Sequence, residues 1–552
     1  MTLLIANMVS RNRLAKLNGL KSSDNPPAYE QDENLLVIGI DFGTIYSAGQ
    51  GRVEKRVEKD ANPMTWFKLL LLKQEDLSPE LCSSEFLIRA RKMALEHQKT
   101  PFDLIADYLQ AIWNHTLEGI AKDRGDSVLE AYQFHVVITV PAIWKDYARQ
   151  DMEKAAKKAG ILDRRTAGKT ILTFAPKPEA AVLSTLCDPG REPKTGDVYF
   201  ICDAGGGTVD LITYEITGVD PILMREAVEG TGGLCGGTFI DEELEARIRN
   251  RLSCKWGQIS QSGIKEMLKG DWELSIKPQD KPGKGKKEYV VSIPAEAYQK
   301  DNELFDDMTR EPFIKKGRMH LKGCHIEQVF EESFSKIDKL IEAQILKAKK
   351  QGLSLTGIIL VGGLGGSPYL YEHLRAQHGP ASISILQSTG MRPRTAICRG
   401  AMYKGFMSGT ASSNRECHIP IQVTSTVSRA SYGDKVWDET SQEWEAGNQM
   451  TWYLKKGENV STKAPVSHSW HVLYETNSSF DGTIKVTICQ CQEDTPPTRK
   501  NDSVETWATI ECSIDTPFWG MKYHWNEVGI RVKKLDYHVE MVPSGASVSL
   551  RL

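Results

Sequence analysis

A short apolar strand that runs into an acid-and-glycine turn occurs twice in this chain, 162 residues apart, and this repeat constrains the fold more than any other feature. The first copy is Val37 to Ile40 followed by Asp41-Phe42-Gly43-Thr44-Ile45-Tyr46-Ser47. The second is Phe200 to Cys202 followed by Asp203-Ala204-Gly205-Gly206-Gly207-Thr208 and the alternating stretch Val209 to Ile216. Glycine accepts the positive φ that a tight strand-to-strand turn demands, so each copy reads as the opening hairpin of a lobe. The separation is too long for a solenoid period and suits two similar lobes. Each turn gathers backbone N–H groups, a hydroxyl and a carboxylate, which together suit a phosphate chain and a hydrated Mg²⁺ held by Asp41 and Asp203 through water.

Between the two copies, strands alternate with helices. Thr100-Pro101 supplies an N-cap and first helical residue, with Leu104, Ile105, Tyr108, Leu109 and Ile112 on one face. Phe134 to Val140 is a buried strand, and Asp146 to Gly160 is a charged amphipathic helix that stops at glycine. This alternation predicts α/β architecture. Downstream, Gly230-Thr231-Gly232-Gly233 and Gly236-Gly237-Thr238 precede a helical stretch from Asp241 to Leu252. Glu327 to Lys350 reads as a charged helix, and the strand Ile358 to Val361 runs into Gly362-Gly363-Leu364, where an adenosine could lie against the backbone. From about Gly409 the style changes to short apolar runs broken by Asn, Gly, Asp and Pro, including Trp444, Trp452, Trp470, Ile484, Val486 and Ile488. That predicts a β-rich domain over 411–552, a sandwich, with its boundary between 407 and 414.

Composition narrows the function classes. Lys+Arg total 69 against 72 Asp+Glu, a formal charge of −3, so no global basic field exists for nucleic acid or an anionic membrane. No apolar stretch approaches the roughly 20 residues of a membrane span. The 11 cysteines are scattered, and Cys489 and Cys491 have no matching pair, which predicts reduced thiols and a cytoplasmic setting. Residues 1–34 read as a flexible leader; Arg11, Arg13 and Lys16 among Leu14, Leu17 and Leu20 give the weaker alternative of a mitochondrial transit peptide. Lys281 to Lys287 reads as a solvated loop.

Other phosphate-binding patterns fail. Gly168-Lys169-Thr170 has Asp163 where a Walker loop needs its first glycine, and no Gly-x-Gly-x-x-Gly opens a helix directly after a strand. The glycine-acid turns instead resemble the actin-like ATPases, within them the 70-kDa heat-shock chaperones, over residues 36 to 405. Ile38-Gly39-Ile40-Asp41-Phe42-Gly43-Thr44 is similar to that family's first phosphate motif, Asp203 to Asp210 to its second, and Leu360-Val361-Gly362-Gly363 to its adenosine motif, in family order. Val140-Pro141-Ala142, Arg149-Gln150 and Ala159-Gly160-Ile161 resemble the connecting segment of the heat-shock branch.

The resemblance implies a two-lobed, ribonuclease H-like ATPase domain over 35–408, lobe I about 35–200 and lobe II about 201–395, that binds ATP or ADP with Mg²⁺. It implies nucleotide contacts from Gly43, Thr44, Ile45, Tyr46, Gly205, Gly206, Gly207, Thr208, Gly236, Gly237, Glu273, Lys277, Gly362, Gly363 and Leu364, and a closing segment from Pro393 to Ala401. It further implies an unfolded or extended client polypeptide bound through the β domain, here without a helical lid. Two departures stand out. Only Ala48 to Thr65 remain where the family has roughly fifty further residues, including a lysine that positions the attacking water, before the segment like Trp66-Phe67-Lys68. The family's glutamate before a conserved-type proline is replaced by Lys177 before Pro178, with Glu179 two residues on. The expectation is an ATP-binding, chaperone-like protein in which hydrolysis is weak or lost, with Asp41, Asp203 and the altered Lys177 at the catalytic centre. The alternatives are a nucleotide-sensing scaffold and a small-molecule kinase on the same fold.

Overall fold

The computed structural model describes residues 3–7, 35–43, 66–279 (apart from 78, 142–143, 145 and 187–191), 287–298, 306–409 (apart from 391) and 421–551, the last apart from 436, 439–442, 445–449, 462–463, 477–479, 481, 515–517, 527–528 and 544–547. The chain divides into two compact units, Met1–Thr213 with Gly230–Ile421, and Tyr214–Glu229 with Gln422–Leu552.

The first unit contains β1 (Leu3–Asn7), β2 (Leu35–Asp41), β3 (Gln133–Val140) and β4 (Ile171–Pro176) in one sheet, in that order. β2, β3 and β4 are mutually parallel, while β1 is antiparallel to β2. The central residues of β2 and nearly all of β3 are buried, the continuous apolar pattern of strands covered on both faces. β1 and β3 pair with the two edges of β2; Leu3–Asn7, expected within a leader, stands antiparallel to it, and the expected return strand after the first turn falls in residues 44–65, which lie outside the described residues.

The second copy does form a hairpin. β5 (Val198–Ala204) leads through the glycine turn into β6 (Val209–Val219), and the Gly205 N–H donates to the Thr208 carbonyl at 2.9 Å. β7 (Ile222–Gly233) follows. A small separate sheet holds β8 (Glu288–Ser292), β9 (Phe313–Lys315) and β10 (Arg318–Lys322). β11 (Gly357–Val361) is parallel to β5, and β12 (Ser384–Gln387) is parallel to β11.

Eight helices of this unit matter here: α1 (Glu85–Glu96), α2 (Pro101–Arg124), α3 (Asp146–Lys158), α4 (Lys177–Leu186), α5 (Gly237–Leu252), α6 (Gly323–Lys350), α7 (Pro368–His378) and α8 (Arg392–Gly409). α2 begins as its sequence predicts: the Thr100 hydroxyl accepts from the Asp103 N–H at 3.1 Å, and the Asp103 carboxylate accepts from the Thr100 N–H at 3.0 Å. α4 and α8 pack backbone to backbone. A Cβ on Gly400 would lie 1.6 Å from the Ala180 carbonyl oxygen, and one on Gly39 would lie 2.6 Å from that of Cys398. Only glycine allows this approach, which draws α8 onto β2 and seals Val37, Val137, Ala175, Ala401 and Phe406 together. The C-terminal ends of β2 and β5 and the first residue of α4 are thereby held in one buried neighbourhood.

The second unit carries residues 214–229 of β6 and β7 with β13 (Ile421–Val427), β14 (Ser431–Lys435), β15 (Trp437–Asp438), β16 (Glu443–Trp444), β17 (Met450–Leu454), β18 (Asn459–Ser461), β19 (Val466–Glu475), β20 (Thr483–Cys491), β21 (Val504–Ser513), β22 (Lys522–Trp525), β23 (Arg531–Pro543) and β24 (Val548–Arg551). One sheet has the order β17-β14-β20-β21 and another the order β19-β23-β22, with β24 also on β23. Tyr432, Leu454, Ile484, Val486 and Ile488 of the first sheet share a core with Val539 and Met541 of the second. The alternate burial of β20, inward at Ile484, Val486 and Ile488, is that of a strand with one face on this core. Among the described residues 422–551 the sole helical segment is the short turn Phe518–Gly520. No described helix is long and apolar enough to cross a membrane.

Candidate nucleotide site

Asp41 closes β2, and its carboxylate is met from two other elements. The Lys177 ammonium, on the first residue of α4, lies 2.9 Å from Asp41 Oδ1, and the Thr139 hydroxyl on β3 donates to the same oxygen at 2.8 Å. The pair is largely withdrawn from water, with the Lys177 and Asp41 side chains 12% and 17% exposed. Burial by itself would raise the Asp41 carboxyl, but the charge and hydrogen bond of Lys177, with smaller help from Lys68 and Thr139, hold it below its ordinary value. For Lys177 burial pulls downward, and the fields of Asp41, Asp203 and Asp210 with the Asp41 bond outweigh it, so its ammonium is held more tightly than usual.

Lys68 belongs to the short turn Phe67–Leu71 and is only 1% exposed. Its ammonium donates to the Phe42 carbonyl and lies 5.1 Å from the Phe42 ring centroid and 5.0 Å from that of Trp144. Burial, then the charge of Lys177, depress its pKa well below the ordinary lysine value, against the pull of Asp41, Asp210 and Asp203.

Asp203 occupies the matching place on β5, and Asp210 follows on β6, accepting from the Thr208 hydroxyl at 3.1 Å. Both are buried. Burial is the main cause that lifts the Asp203 carboxyl to about 7, with Lys177 opposing and Asp210 and Asp41 adding to the rise. Asp210 is raised as well, first by burial, with Lys177 opposing.

Around Asp203 the glycine turns interlock. The Gly236, Gly237 and Thr238 N–H groups donate to the carbonyls of Gly207, Gly205 and Gly206 at 3.2, 3.1 and 2.8 Å. Gly362 sits at φ +90°, and a Cβ there would fall 2.4 Å from the Ala204 oxygen; the Leu364 N–H donates to that same oxygen at 2.9 Å. The Gly362 N–H donates to Pro393 at 3.0 Å, which joins the expected closing segment to the third turn, while Gly363 has open space beside it. Lys277 donates to the Gly237 carbonyl at 3.0 Å, pairs with Asp241 at 2.6 Å and has Glu273 at 3.7 Å.

The structure thus gathers Asp203, Gly205, Gly206, Gly207, Thr208, Gly236, Gly237, Glu273, Lys277, Gly362 and Leu364 into one connected set. Asp41 and Lys177 form a pair whose charges reach Asp203. Gly43 is described at the end of the first turn, whereas Thr44, Ile45 and Tyr46 lie outside the described residues. Glu179, the alternative for the altered position, is buried against Lys404 of α8 at 2.7 Å, so Lys177 is the residue that meets Asp41. Sequence reasoning did not single out Asp210, Thr139 or Lys68 as site residues. The available signals were an acid two residues beyond the second turn and a lone cation inside the apolar run Trp66 to Leu72.

Comparison with known proteins supplies the relatives. No protein-family model matches the chain. It is 22% identical over 402 residues, 60% of this chain and 57% of the relative, to Heat shock 70 kDa protein 12B of Homo sapiens. To Chaperone protein DnaK of Thermoplasma volcanium it is 28% identical over 325 residues, 57% and 46% of the two chains. To a Chaperone protein HscA homolog of Chromobacterium violaceum it is 30% identical over 136 residues, 24% and 19% of the two chains. These relatives are Hsp70 family members, and the chain resembles them, as a divergent relative, at 22–30% identity over part of its length. It spans about half the length of the first two of these curated relatives.

ATP or ADP with Mg²⁺ is the general ligand set of the Hsp70 family. In this Hsp70-like chain, Asp41 was expected to hold hydrated Mg²⁺ and instead holds an ammonium and a hydroxyl on one oxygen. That donor set does not suit a divalent cation, because an ammonium 2.9 Å from the carboxylate repels one brought to the same place. Among the described residues no group of three or more His, Cys, Asp or Glu side chains could hold a metal ion.

Proposed function

We propose that this Hsp70-like chain is an ATP-binding, chaperone-like protein in which hydrolysis is weak or lost. The observation that carries the reading is the Lys177–Asp41 pair at 2.9 Å, set beside the interlocked turns at 205–208, 236–238 and 362–365. The turns offer close backbone approach for a phosphate chain and a nucleoside, with Lys277 and Glu273 toward the base and Asp203 facing the phosphates. Phosphoryl transfer depends mainly on positioning and charge stabilisation. A lysine in place of a glutamate removes a carboxylate that would orient water, and loss of one positioning group costs on the order of 10² to 10³ in rate by analogy with an oxyanion-hole donor.

Calorimetric titration of the full chain with ATP, paired with single-turnover hydrolysis, tests this. Binding with hydrolysis near background is the expected result, and Lys177→Glu should regain turnover. Rapid hydrolysis by the unmodified chain, or no heat of binding at millimolar nucleotide, would sink the proposal. A nucleotide-sensing scaffold is the second reading, favoured by the same ion pair, and steady-state phosphate release separates the two. The second unit is the proposed partner surface: β22 is exposed along its whole length at the edge of its sheet, with Trp519 and Trp525 78% and 65% exposed, a place where an extended polypeptide could add as a strand.

A further inference from the structure

The buried charges of the site are unevenly spread. Three carboxylates, the buried Asp203 and Asp210 and the partly exposed Asp41, share a neighbourhood with two lysines, the buried Lys68 and the 12% exposed Lys177, that come from different elements. Lys68 is committed to the Phe42 carbonyl and lies over two aromatic rings. Lys177 is placed differently. It stands at the first turn of α4, where the helix dipole contributes about half a positive charge at the N-terminus and disfavours a cation. Its own burial disfavours the charge as well. Its ammonium lies 2.9 Å from Asp41 Oδ1, so the ion pair sets a positive charge at the end of β2, where a hydrated cation was expected.

A nucleotide triphosphate entering such a site needs a cation between its phosphates and those acids. In most nucleotide sites a hydrated divalent ion is that cation. An ammonium is a compact point charge with three donors; the bond to Asp41 uses one of them, and ammonium groups are established partners of phosphate oxygens. The N-terminal end of α4, which carries Lys177, adds partial positive charge.

We propose that Lys177 is a resident cation that takes the place of Mg²⁺, so that this chain binds the polyphosphate of a nucleotide without a divalent metal. The proposal rests on the nucleotide-binding reading above. Metal-free ATP is then a full ligand, and Mg²⁺ changes affinity little because its position beside Asp41 is already filled.

The test is calorimetric titration of the full chain with ATP, once in excess Mg²⁺ and once in excess EDTA. The two affinities are expected within about threefold of each other, and Lys177→Glu should widen the gap beyond about tenfold in favour of Mg²⁺, since one charge in a withdrawn site is worth at least about a factor of ten. Lys177→Gln removes the charge with little change of shape and carries the same test if the glutamate variant does not fold; it should lose most of its affinity in EDTA. Binding by the unmodified chain only when Mg²⁺ is present overturns the resident cation and leaves the nucleotide reading standing. No binding in either buffer overturns both. Metal-indifferent binding by the unmodified chain and by both variants would show that Lys177 is not the cation responsible, and overturns the assignment.

Discussion

At the end of β2, Asp41 meets the Lys177 ammonium at 2.9 Å and the Thr139 hydroxyl at 2.8 Å. At the end of β5, Asp203 lies against glycine backbone, Asp210 raises its carboxyl more than Asp41 does, and Lys177 acts on it only through space. The two acids each follow a short apolar run and are both largely withdrawn from water, yet their protonation moves in opposite directions. Asp41 falls below its ordinary value while Asp203 rises to about 7. Desolvation raises both. The difference is a partner that arrives from a third element, which shows that a repeated motif places a functional group without setting its charge.

The largest effect that could break this contrast is expected on removing the partner. Lys177→Met leaves Asp41 buried and unpaired, and an uncompensated buried charge costs about 3–5 kcal/mol. Urea unfolding near neutral pH measures it. A change under about 1 kcal/mol, the range of exposed ion pairs, would show that Lys177 is not the counter-ion of Asp41.

A somewhat smaller effect is expected on the Asp203 side, and it depends on pH. The folded carboxyl titrates at about 7 and the unfolded one near 3.9, so the folded state binds the proton more tightly. Its contribution is fully present below the unfolded pKa and is lost as pH rises through the folded one, amounting to up to about 4 kcal/mol for three units of difference. Asp203→Asn abolishes that loss. The stability of the natural chain relative to the variant should therefore decline steadily from about pH 4 to pH 7, and a constant difference across that window would remove the contrast with Asp41.

The smallest of the three sharpens the Asp41 side. Thr139→Val deletes a hydroxyl bond to a charged oxygen, worth about 1.5–3 kcal/mol, with the lower end expected because Lys177 remains on the same atom. The folded Asp41 pKa lies below the unfolded one, so its stabilising contribution is present above the unfolded pKa and fades as pH falls through the folded value. The penalty of the variant should shrink in acid accordingly, and Asp41 should titrate higher by carboxyl carbon NMR. An unmoved Asp41 titration would assign its low value to Lys177 alone.

Much of this site could be read from local pattern. Both acids, the glycines of the second and third turns, Gly236, Gly237 and the proline of the closing segment stand in motifs whose backbone demands are local, although the backbone bonds that join the motifs, such as Leu364 to Ala204, span long stretches of chain. Lys68 could not be read this way. It sits inside Trp66-Phe67-Lys68-Leu69-Leu70-Leu71-Leu72, which reads as core, and its bond to Phe42 spans 26 positions. Thr139 is 98 positions from Asp41 and looks like any polar residue in a β-strand. The pairing of Leu3–Asn7 with β2 could not be read locally either, because its partners lie more than 25 positions away and strand pairing is settled by which edge a segment meets.

The sequence by itself determined the buried strands, the turns that only glycine can make, the capped start of α2 and the likeness to Hsp70 relatives, because these follow from side-chain period, φ and neighbours a few residues away. Only the tertiary structure decided which cation meets which acid. Charge interactions depend on distance and on withdrawal from water, and those are fixed where α4 and α8 close together at Gly400 and Ala180, bringing Lys177 to Asp41 and committing Glu179 to Lys404.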